Sequence, residues 1–242
     1  MCTVTFIPVH DKVFITHNRD EKSVRPKAIS PKEYIIRGYS LLFPRDSGAG
    51  GTWIALNGNG SAAVLLNGGF IKHIQQPAYR KSRGLAFLDI VAADDLYLSY
   101  KQIDLSNIEP FTVILWNNAE LYECRWDGKQ KNIKELDATS SYTWSSVTLY
   151  DAVVIERRKA WFENWREENL QPSMDDIIQF HLSAGDGDPH NDIRMNRDGK
   201  MLTVSIASME IFNGKSRMKY IDLLDNTTSL HELVFTKAPV TK

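Results

Sequence analysis

The chain has 242 residues, enough for one large domain with a substantial core or for two small domains. Its formal net charge is −1, and lysine and arginine are scattered, which excludes the basic surface that nucleic-acid binding requires. Two cysteines are too few for a disulfide framework and suit a reducing compartment. The N-terminus lacks signal-peptide features, and the apolar runs are strand-sized. We therefore expect a cytoplasmic protein without a membrane span or a nucleic-acid partner.

Three pairs of β-favouring runs predict hairpins in the first half of the chain. The first pair joins residues 2–9 to residues 12–18. The second turns at 57–60, where two Asn-Gly steps supply the positive φ angles of a tight turn. The third turns at Asn117-Asn118. Further strands are predicted near the C-terminus, at 201–207, 219–224 and 230–235.

Apolar residues at helical spacing predict three helices. The first covers 84–101 with Ser82 as its cap, and the last covers 174–182 with Ser173 as its cap. The clearest helix spans 148–169 and begins at a Thr148 cap. Its apolar stripe is predicted to consist of Tyr150, Val153, Val154, Trp161 and Trp165.

The order of these elements is strands, a helix, strands, two helices and strands. No repeat, low-complexity tract or flexible linker divides the chain. This pattern is typical of an α+β fold in which helices cover antiparallel sheets. We therefore predict a single domain over residues 1–242.

Cys2 carries the main functional signal, because it directly follows the initiator methionine. A cysteine side chain is small enough for methionine aminopeptidase to remove Met1, which would leave Cys2 with a free α-amine. An unperturbed α-amine has a pKa of about 7.7–8.0, so a useful fraction is neutral at pH 7 and accepts a proton. One residue would then supply both a thiol nucleophile and its general base.

The first hairpin predicts the neighbours of Cys2. If His10 and Asp11 form the turn, Cys2 lies opposite Arg19. A slip of one residue would place Asn18 or Asp20 there instead. In each register an arginine that favours the thiolate and a carboxylate that orients the α-amine lie nearby. The alternative interpretation is a small buried cysteine at the start of a strand, beside a solvated polar turn.

The tetrapeptide Asn18-Arg19-Asp20-Glu21, together with Met-Cys-Thr at the start, resembles the NRDE family, also called the transport and Golgi organisation protein 2 family. That family is similar to the N-terminal nucleophile (Ntn) hydrolases, in particular the branch of bile salt hydrolase and penicillin V acylase. The resemblance implies a four-layer αββα sandwich with mostly antiparallel sheets.

The same resemblance implies roles for further residues. In the hydrolase branch, an asparagine that ends the strand after the second hairpin turn lends its backbone N–H to the oxyanion hole, and Asn67 matches it. A second oxyanion asparagine of that branch aligns with Ser146. An arginine of its signature is replaced by His17, and Arg19 stands two positions later.

These observations predict hydrolysis of a linear, non-peptide amide. Cys2 would be the nucleophile and its α-amine the base, while Arg19 lowers the thiol pKa, Asp20 holds the amine and Asn67 completes the oxyanion hole. Asn18, Glu21 and Ser146 would support them, and no cofactor or metal is expected. The alternative, from a different class, is a non-catalytic binding or trafficking protein that handles haem or a lipid. The oligomeric state stays open.

Arg157 lies within the predicted apolar stripe and allows two interpretations. It could bind a substrate carboxylate, or it could pack its stem against the protein and extend its charge to water, which the general behaviour of arginine favours. The remaining histidines show no metal-ligand spacing.

Overall fold

The computed structural model describes residues 2–212 and 214–235, with the backbone but not the side chain of Cys2. In chain order the elements are β1 (Cys2–Val9), β2 (Lys12–Lys22), β3 (Ile29–Ile36), β4 (Tyr39–Arg45), β5 (Ile54–Asn57), β6 (Ala62–Asn67), α1 (Arg83–Val91), α2 (Leu96–Gln102), β7 (Phe111–Asn117), β8 (Glu120–Trp126), β9 (Lys131–Leu136), β10 (Tyr142–Ser145), α3 (Ala152–Glu168), α4 (Met174–Ser183), β11 (Asn196–Arg197), β12 (Met201–Phe212), β13 (Lys215–Asp222) and β14 (Thr227–Val234).

The strands form two antiparallel sheets. The sheet that contains the N-terminus, called here the N-sheet, has the strand order β10-β1-β2-β12-β13-β14, with β11 paired to β12. The second sheet, called here the M-sheet, runs from β3 to β9 in sequence order. α3 and α4 pack on the N-sheet, and α1 and α2 pack on the M-sheet. The predicted four-layer αββα sandwich is confirmed.

Two apolar cores separate the layers. The larger core lies between the sheets and beneath α1 and α2, and it includes Phe6, Trp53 and Phe87. The smaller core lies between the N-sheet and α3 and α4, around Ile7 and Phe162. None of the described helices is long and apolar enough to cross a membrane.

The first hairpin adopts the predicted register, in which Cys2 pairs with Arg19. β2 continues to Lys22, so residues 18–21 lie in the middle of the N-sheet and not in a turn. Opposite them, β12 has a register shift between Thr203 and Ser205. Such bulges redirect side chains and are common beside active sites.

The third hairpin turns one residue later than predicted. Asn118 and Ala119 have φ angles of 52° and 67°, whereas Asn117 pairs with Glu120 as a strand residue. The reason lies in a tertiary contact, because the Asn117 side chain accepts a hydrogen bond from the backbone N–H of Leu96 at 2.9 Å. Asn117 therefore caps α2 from the neighbouring strand.

The helix boundaries differ from the prediction in two places. The segment predicted as one helix is divided, because the side chain of Asp95 accepts from Leu98 N–H and starts α2. α3 begins at Ala152 with Asp151 as its cap, and not at Thr148. α4 begins as predicted, with a capping box between Ser173 and Asp176.

The apolar stripe predicted for α3 is confirmed at Tyr150 and Val154, which are buried, and at Trp161 and Trp165, which pack against the smaller core, but it is wrong at Val153. The buried residues of α3 are Val154, Arg158 and Phe162, whereas Val153 is 76% exposed. These three positions recur every four residues, which places an arginine in the middle of the buried face.

Candidate active site

Residues 18–20 of β2 present side chains to both faces of the N-sheet. Arg19 contacts Asp46 and Trp53 of the M-sheet side, so it lies between the sheets. Asn18 and Asp20 contact the helical layer on the other face. Because successive side chains of a strand point to opposite faces, Arg19 lies on one face of the N-sheet and its neighbours Asn18 and Asp20 lie on the other.

Arg19 is held rigidly between the sheets. Its Nη2 donates to Oδ2 of Asp46 at 2.5 Å, and its guanidinium stacks 4.1 Å from the centre of the Trp53 ring. Asp46 also accepts from Nε of Arg25 at 2.9 Å and from the backbone N–H of Ala49 at 2.7 Å. Burial alone would raise the pKa of Asp46, but these hydrogen bonds and charges lower it overall.

A cavity of about 290 Å³ opens beside Arg19, and Asn67 at the end of β6 lines the same space. One wall is main chain, because Gly51 and Gly84 approach closely. A Cβ atom on Gly51 would lie 2.4 Å from the carbonyl carbon of Gly84. Two of the predicted catalytic residues therefore meet at one cavity between the sheets.

Asp20 is completely buried under the helical layer. Its Oδ2 accepts from the Tyr150 hydroxyl at 2.8 Å, and its Oδ1 accepts from the Thr203 hydroxyl at 2.7 Å. Burial raises the pKa of Asp20, while the nearby Arg158 charge and the two hydrogen bonds oppose that rise. The bulge in β12 follows directly after Thr203.

Arg158 of α3 is the largest fully buried side chain among the described residues. Its Nε donates to the carbonyl oxygen of Asn191 at 2.9 Å and its Nη2 donates to that of Asp192 at 2.5 Å. Its Nη1 donates to the hydroxyl of Thr3, the residue after Cys2. The guanidinium also lies 3.6 Å from the centre of the Tyr150 ring. Tyr150 therefore connects the buried cation to the carboxylate of Asp20.

Asn18 joins β2 to α4. Its Nδ2 donates to the carbonyl oxygens of His181 and Ile193 at 3.0 and 2.9 Å. Its Oδ1 therefore accepts from Nδ1 of His181 at 2.7 Å, and Nε2 of His181 accepts from the Thr5 hydroxyl at 2.8 Å. Burial lowers the pKa of His181 to about 3, which fits this neutral tautomer.

His17 lies between the sheets, two positions before Arg19 in β2, and is completely buried. Neither ring nitrogen has a hydrogen-bond partner of good geometry. Burial lowers the pKa of His17 well below its ordinary value, so the ring is neutral at pH 7. His17 therefore adds no positive charge to the space between the sheets, and Arg19 is the nearby cation of β2 on that side.

Ser146 is buried beside Asn67. Its Oγ donates to the carbonyl oxygen of Asn67 at 2.8 Å and contacts the Thr148 hydroxyl at 3.0 Å. Gly68, which follows Asn67 in the chain, has a φ angle of +89°, and a Cβ atom at this position would lie 2.6 Å from the side chain of Val147. The end of β6 is thus fixed against the segment after β10.

Cys2 is placed by its backbone alone, opposite Arg19 in β1, and its side chain lies outside the described part of the structure. Met1, whose removal is predicted, also lies outside the described residues. Glu21 lines the cavity and lies 3.5 Å from Arg25.

Arg157 is not brought to the cavity. Its guanidinium is paired with Asp186 at 3.2 Å and with Asp188 at 3.5 Å, and its side chain is 36% exposed. It also lies 5.5 Å from the centre of the Trp161 ring. These contacts match the packed-stem interpretation, in which the charge of the side chain reaches the surface.

Several residues of the site escaped the sequence prediction. Arg158 was detectable, because its spacing from Val154 and Phe162 is that of a buried helical face. Asp46 and Trp53 approach Arg19 only through the packing of one sheet on the other, and no local pattern marks them. Within 2–212 and 214–235, no three His, Cys, Asp or Glu side chains are grouped to hold a metal ion.

Comparison with known proteins gives a consistent result. The family model described as Transport and Golgi organisation 2 matches residues 1–212. No curated protein sequence matches the chain.

Solved structures share its fold at low identity. A mutant of conjugated bile acid hydrolase from Clostridium perfringens has a TM-score of 0.55 and 11% identity, with 100% of this chain and 99% of that chain covered. The N-acylethanolamine-hydrolyzing acid amidase ortholog of Caenorhabditis elegans has a TM-score of 0.61 and 12% identity, with coverages of 86% and 92%. Penicillin V acylase from Agrobacterium tumefaciens has a TM-score of 0.54 and 10% identity, with coverages of 100% and 88%.

Proposed function

Because this chain belongs to the Transport and Golgi organisation 2 family and has the fold of Ntn amidases, we propose that it hydrolyses a linear, non-peptide amide with Cys2 as the nucleophile. One observation carries the proposal. The register of β1 and β2 sets Cys2 opposite Arg19, and Arg19 shares a cavity with Asn67.

The reaction begins with proton transfer from the Cys2 thiol to its own α-amine. The thiolate attacks the amide carbonyl, the C–N bond breaks, and the ammonium returns its proton to the leaving amine. A water molecule then cleaves the thioester, which releases the acid and restores the thiol. The base and the nucleophile belong to the same residue, so no separate histidine is required.

Arg19 favours the thiolate of Cys2. A guanidinium held 7% exposed by Asp46 and Trp53 acts through a medium of low dielectric, where its effect on a neighbouring pKa is large. Asp46 compensates part of this charge, so Arg19 lowers the pKa of the Cys2 thiol less than an unpaired guanidinium would.

Asp20 holds the α-amine of Cys2. Two hydroxyl groups orient its carboxylate, and the buried Arg158 keeps its pKa lower than burial alone would set it. Arg158 also binds Thr3, so one side chain connects the holder of the amine with the strand that carries Cys2. Asn18 supports this arrangement by fixing β2 to α4.

Asn67 lends its backbone N–H to the developing oxyanion. Ser146 supports it from behind, because the hydroxyl of Ser146 donates to the carbonyl oxygen of Asn67. Glu21 lies at the cavity wall, where it balances the charge of Arg25.

A binding protein for haem or a lipid is the less favoured alternative. Such ligands need a cavity lined mainly by apolar side chains, whereas this cavity is lined mainly by charged and polar ones. A haem titration that gave saturable binding, with no turnover of any amide, would reverse this preference.

The proposal is tested by a screen of N-acyl amides with purified protein and its Cys2→Ala variant. We expect turnover of at least one amide by the unmodified protein and none by Cys2→Ala. Equal turnover by both proteins, or none across the panel by protein that lacks Met1, would reject an Ntn amidase.

A further inference from the structure

The lining of the cavity carries information about the substrate, because most of its side chains are charged or polar. Three guanidinium groups and three carboxylates line it: Arg19, Arg25, Arg83, Glu21, Asp46 and Glu109. Apolar side chains contribute little, since only Ala49, Trp53 and Leu65 belong to this class. At about 290 Å³ the cavity also lies just below the usual range for ligand pockets, about 300–1,000 Å³.

These charges are paired across the cavity wall. Asp46 lies between Arg19 and Arg25. In a second pair, Arg83 lies 3.2 Å from Glu109, whose other carboxylate oxygen lies 3.0 Å from Nε2 of His73. The side chains of Arg83 and Glu109 are only 18% and 17% exposed.

A fatty acyl chain would therefore be a poor occupant. It would displace water from half-buried charges without replacing the lost hydrogen bonds, and that desolvation is costly. A single added charge would also disturb a lining with equal numbers of cations and anions. A group that carries one positive and one negative charge avoids both penalties, since each of its ends meets an opposite charge.

The geometry points to a short amide that carries a zwitterionic amino-acid head group, with its carboxylate at Arg83 and its ammonium at Glu109. This inference rests on the proposed amidase function, because the amide must extend from that pair toward Arg19 and Cys2. γ-Glutamyl amides are the simplest compounds of this class.

Binding is measured separately from hydrolysis by using the Cys2→Ala variant. Two probes are compared, γ-glutamyl ethylamide and decanoyl ethylamide, which share the same ethylamine half and differ in the acyl half. We expect γ-glutamyl ethylamide to bind at least tenfold more tightly in calorimetric titrations. The neutral double variant Arg83→Gln/Glu109→Gln, on the Cys2→Ala background, should weaken it at least tenfold. Arg80→Gln is the matched control, because Arg80 is paired with Asp104 outside this cavity.

The melting temperature of each variant shows whether it folds. A folded double variant that binds γ-glutamyl ethylamide as tightly as its parent overturns the inference. If the double variant does not fold, the preference between the two probes in Cys2→Ala decides, and tighter binding of the decanoyl amide overturns it.

Hydrolysis by the unmodified protein distinguishes the two proposals. Selective binding of γ-glutamyl ethylamide without turnover supports the head-group site and rejects the amidase. Faster turnover of the decanoyl amide supports the amidase and overturns the head-group site.

Discussion

Replacing Arg158 by methionine should destabilise the fold far more than the same change at Arg157, its neighbour on α3. Methionine keeps most of the length of the stem but removes the guanidinium. The buried acceptors that remain are the carbonyl oxygens of Asn191 and Asp192 and the hydroxyl of Thr3. Asp20 also loses the cation that opposes the effect of burial on its pKa.

The magnitude follows from these contacts. Each buried acceptor left without a donor costs about 1–3 kcal/mol, although relaxation makes such terms less than additive. Removing one member of a buried charged group costs about 3–5 kcal/mol. We therefore expect Arg158→Met to lower the free energy of unfolding by about 3–5 kcal/mol. Arg157→Met should cost at most about 1 kcal/mol, because its partners Asp186 and Asp188 are exposed.

Urea unfolding followed by circular dichroism and tryptophan fluorescence measures both values. The comparison requires the dependence on urea concentration to have the same slope in all three proteins. A loss below about 1 kcal/mol for Arg158→Met, or a loss no larger than that of Arg157→Met, would refute the buried network around Asp20.

Three further predictions follow from the site. Intact-mass analysis of natively produced protein should show that Met1 is absent, and full retention would contradict a free Cys2 amine. Iodoacetamide should modify Cys2 much faster than Cys124, because Cys124 is fully buried and burial raises its pKa. Arg19→Ala should slow the reaction of Cys2, whereas Arg157→Ala should not. Equal labelling of both cysteines would contradict an activated Cys2. The pKa values of His17 and His181 are lowered in the fold, so the unfolded chain binds more protons below pH 6.5, and the free energy of unfolding should fall from there toward pH 3. Each histidine contributes about 1.4 kcal/mol per pH unit to the slope of this fall. An unfolding free energy that stays constant from pH 6.5 to 4.5, or a His17→Leu variant with an unchanged slope, would contradict the prediction.

Local chemistry made part of this fold predictable. The first hairpin follows from two β-favouring runs around His10 and Asp11, and its register sets Cys2 opposite Arg19. The start of α4 follows from the reciprocal hydrogen bonds of Ser173 and Asp176.

Tertiary contacts decided the rest. Asn117 leaves its predicted turn because it caps α2 from another element. The hairpin of β3 and β4 is an exception, because a local signal for it was missed: Arg37 and Gly38 turn between two β-favouring runs with φ angles of 52° and 85°. For the site, the polar neighbours in β2 were predictable, whereas Tyr150 and Arg158 reach Asp20 and Thr3 only when α3 packs on the N-sheet.

The central claim is that the α-amine of Cys2 is the catalytic base, and one insertion tests it most directly. A glycine placed before Cys2 gives a mature chain that begins Gly-Cys, which keeps the thiol but converts the amine into an amide nitrogen. The measurement is kcat/KM on an amide identified by the screen, with the melting temperature as the control for folding. We predict a fall on the order of 10²–10⁴, the usual contribution of a positioned general base, with little change in melting temperature. Unchanged kcat/KM in the folded Gly-Cys protein would contradict the mechanism.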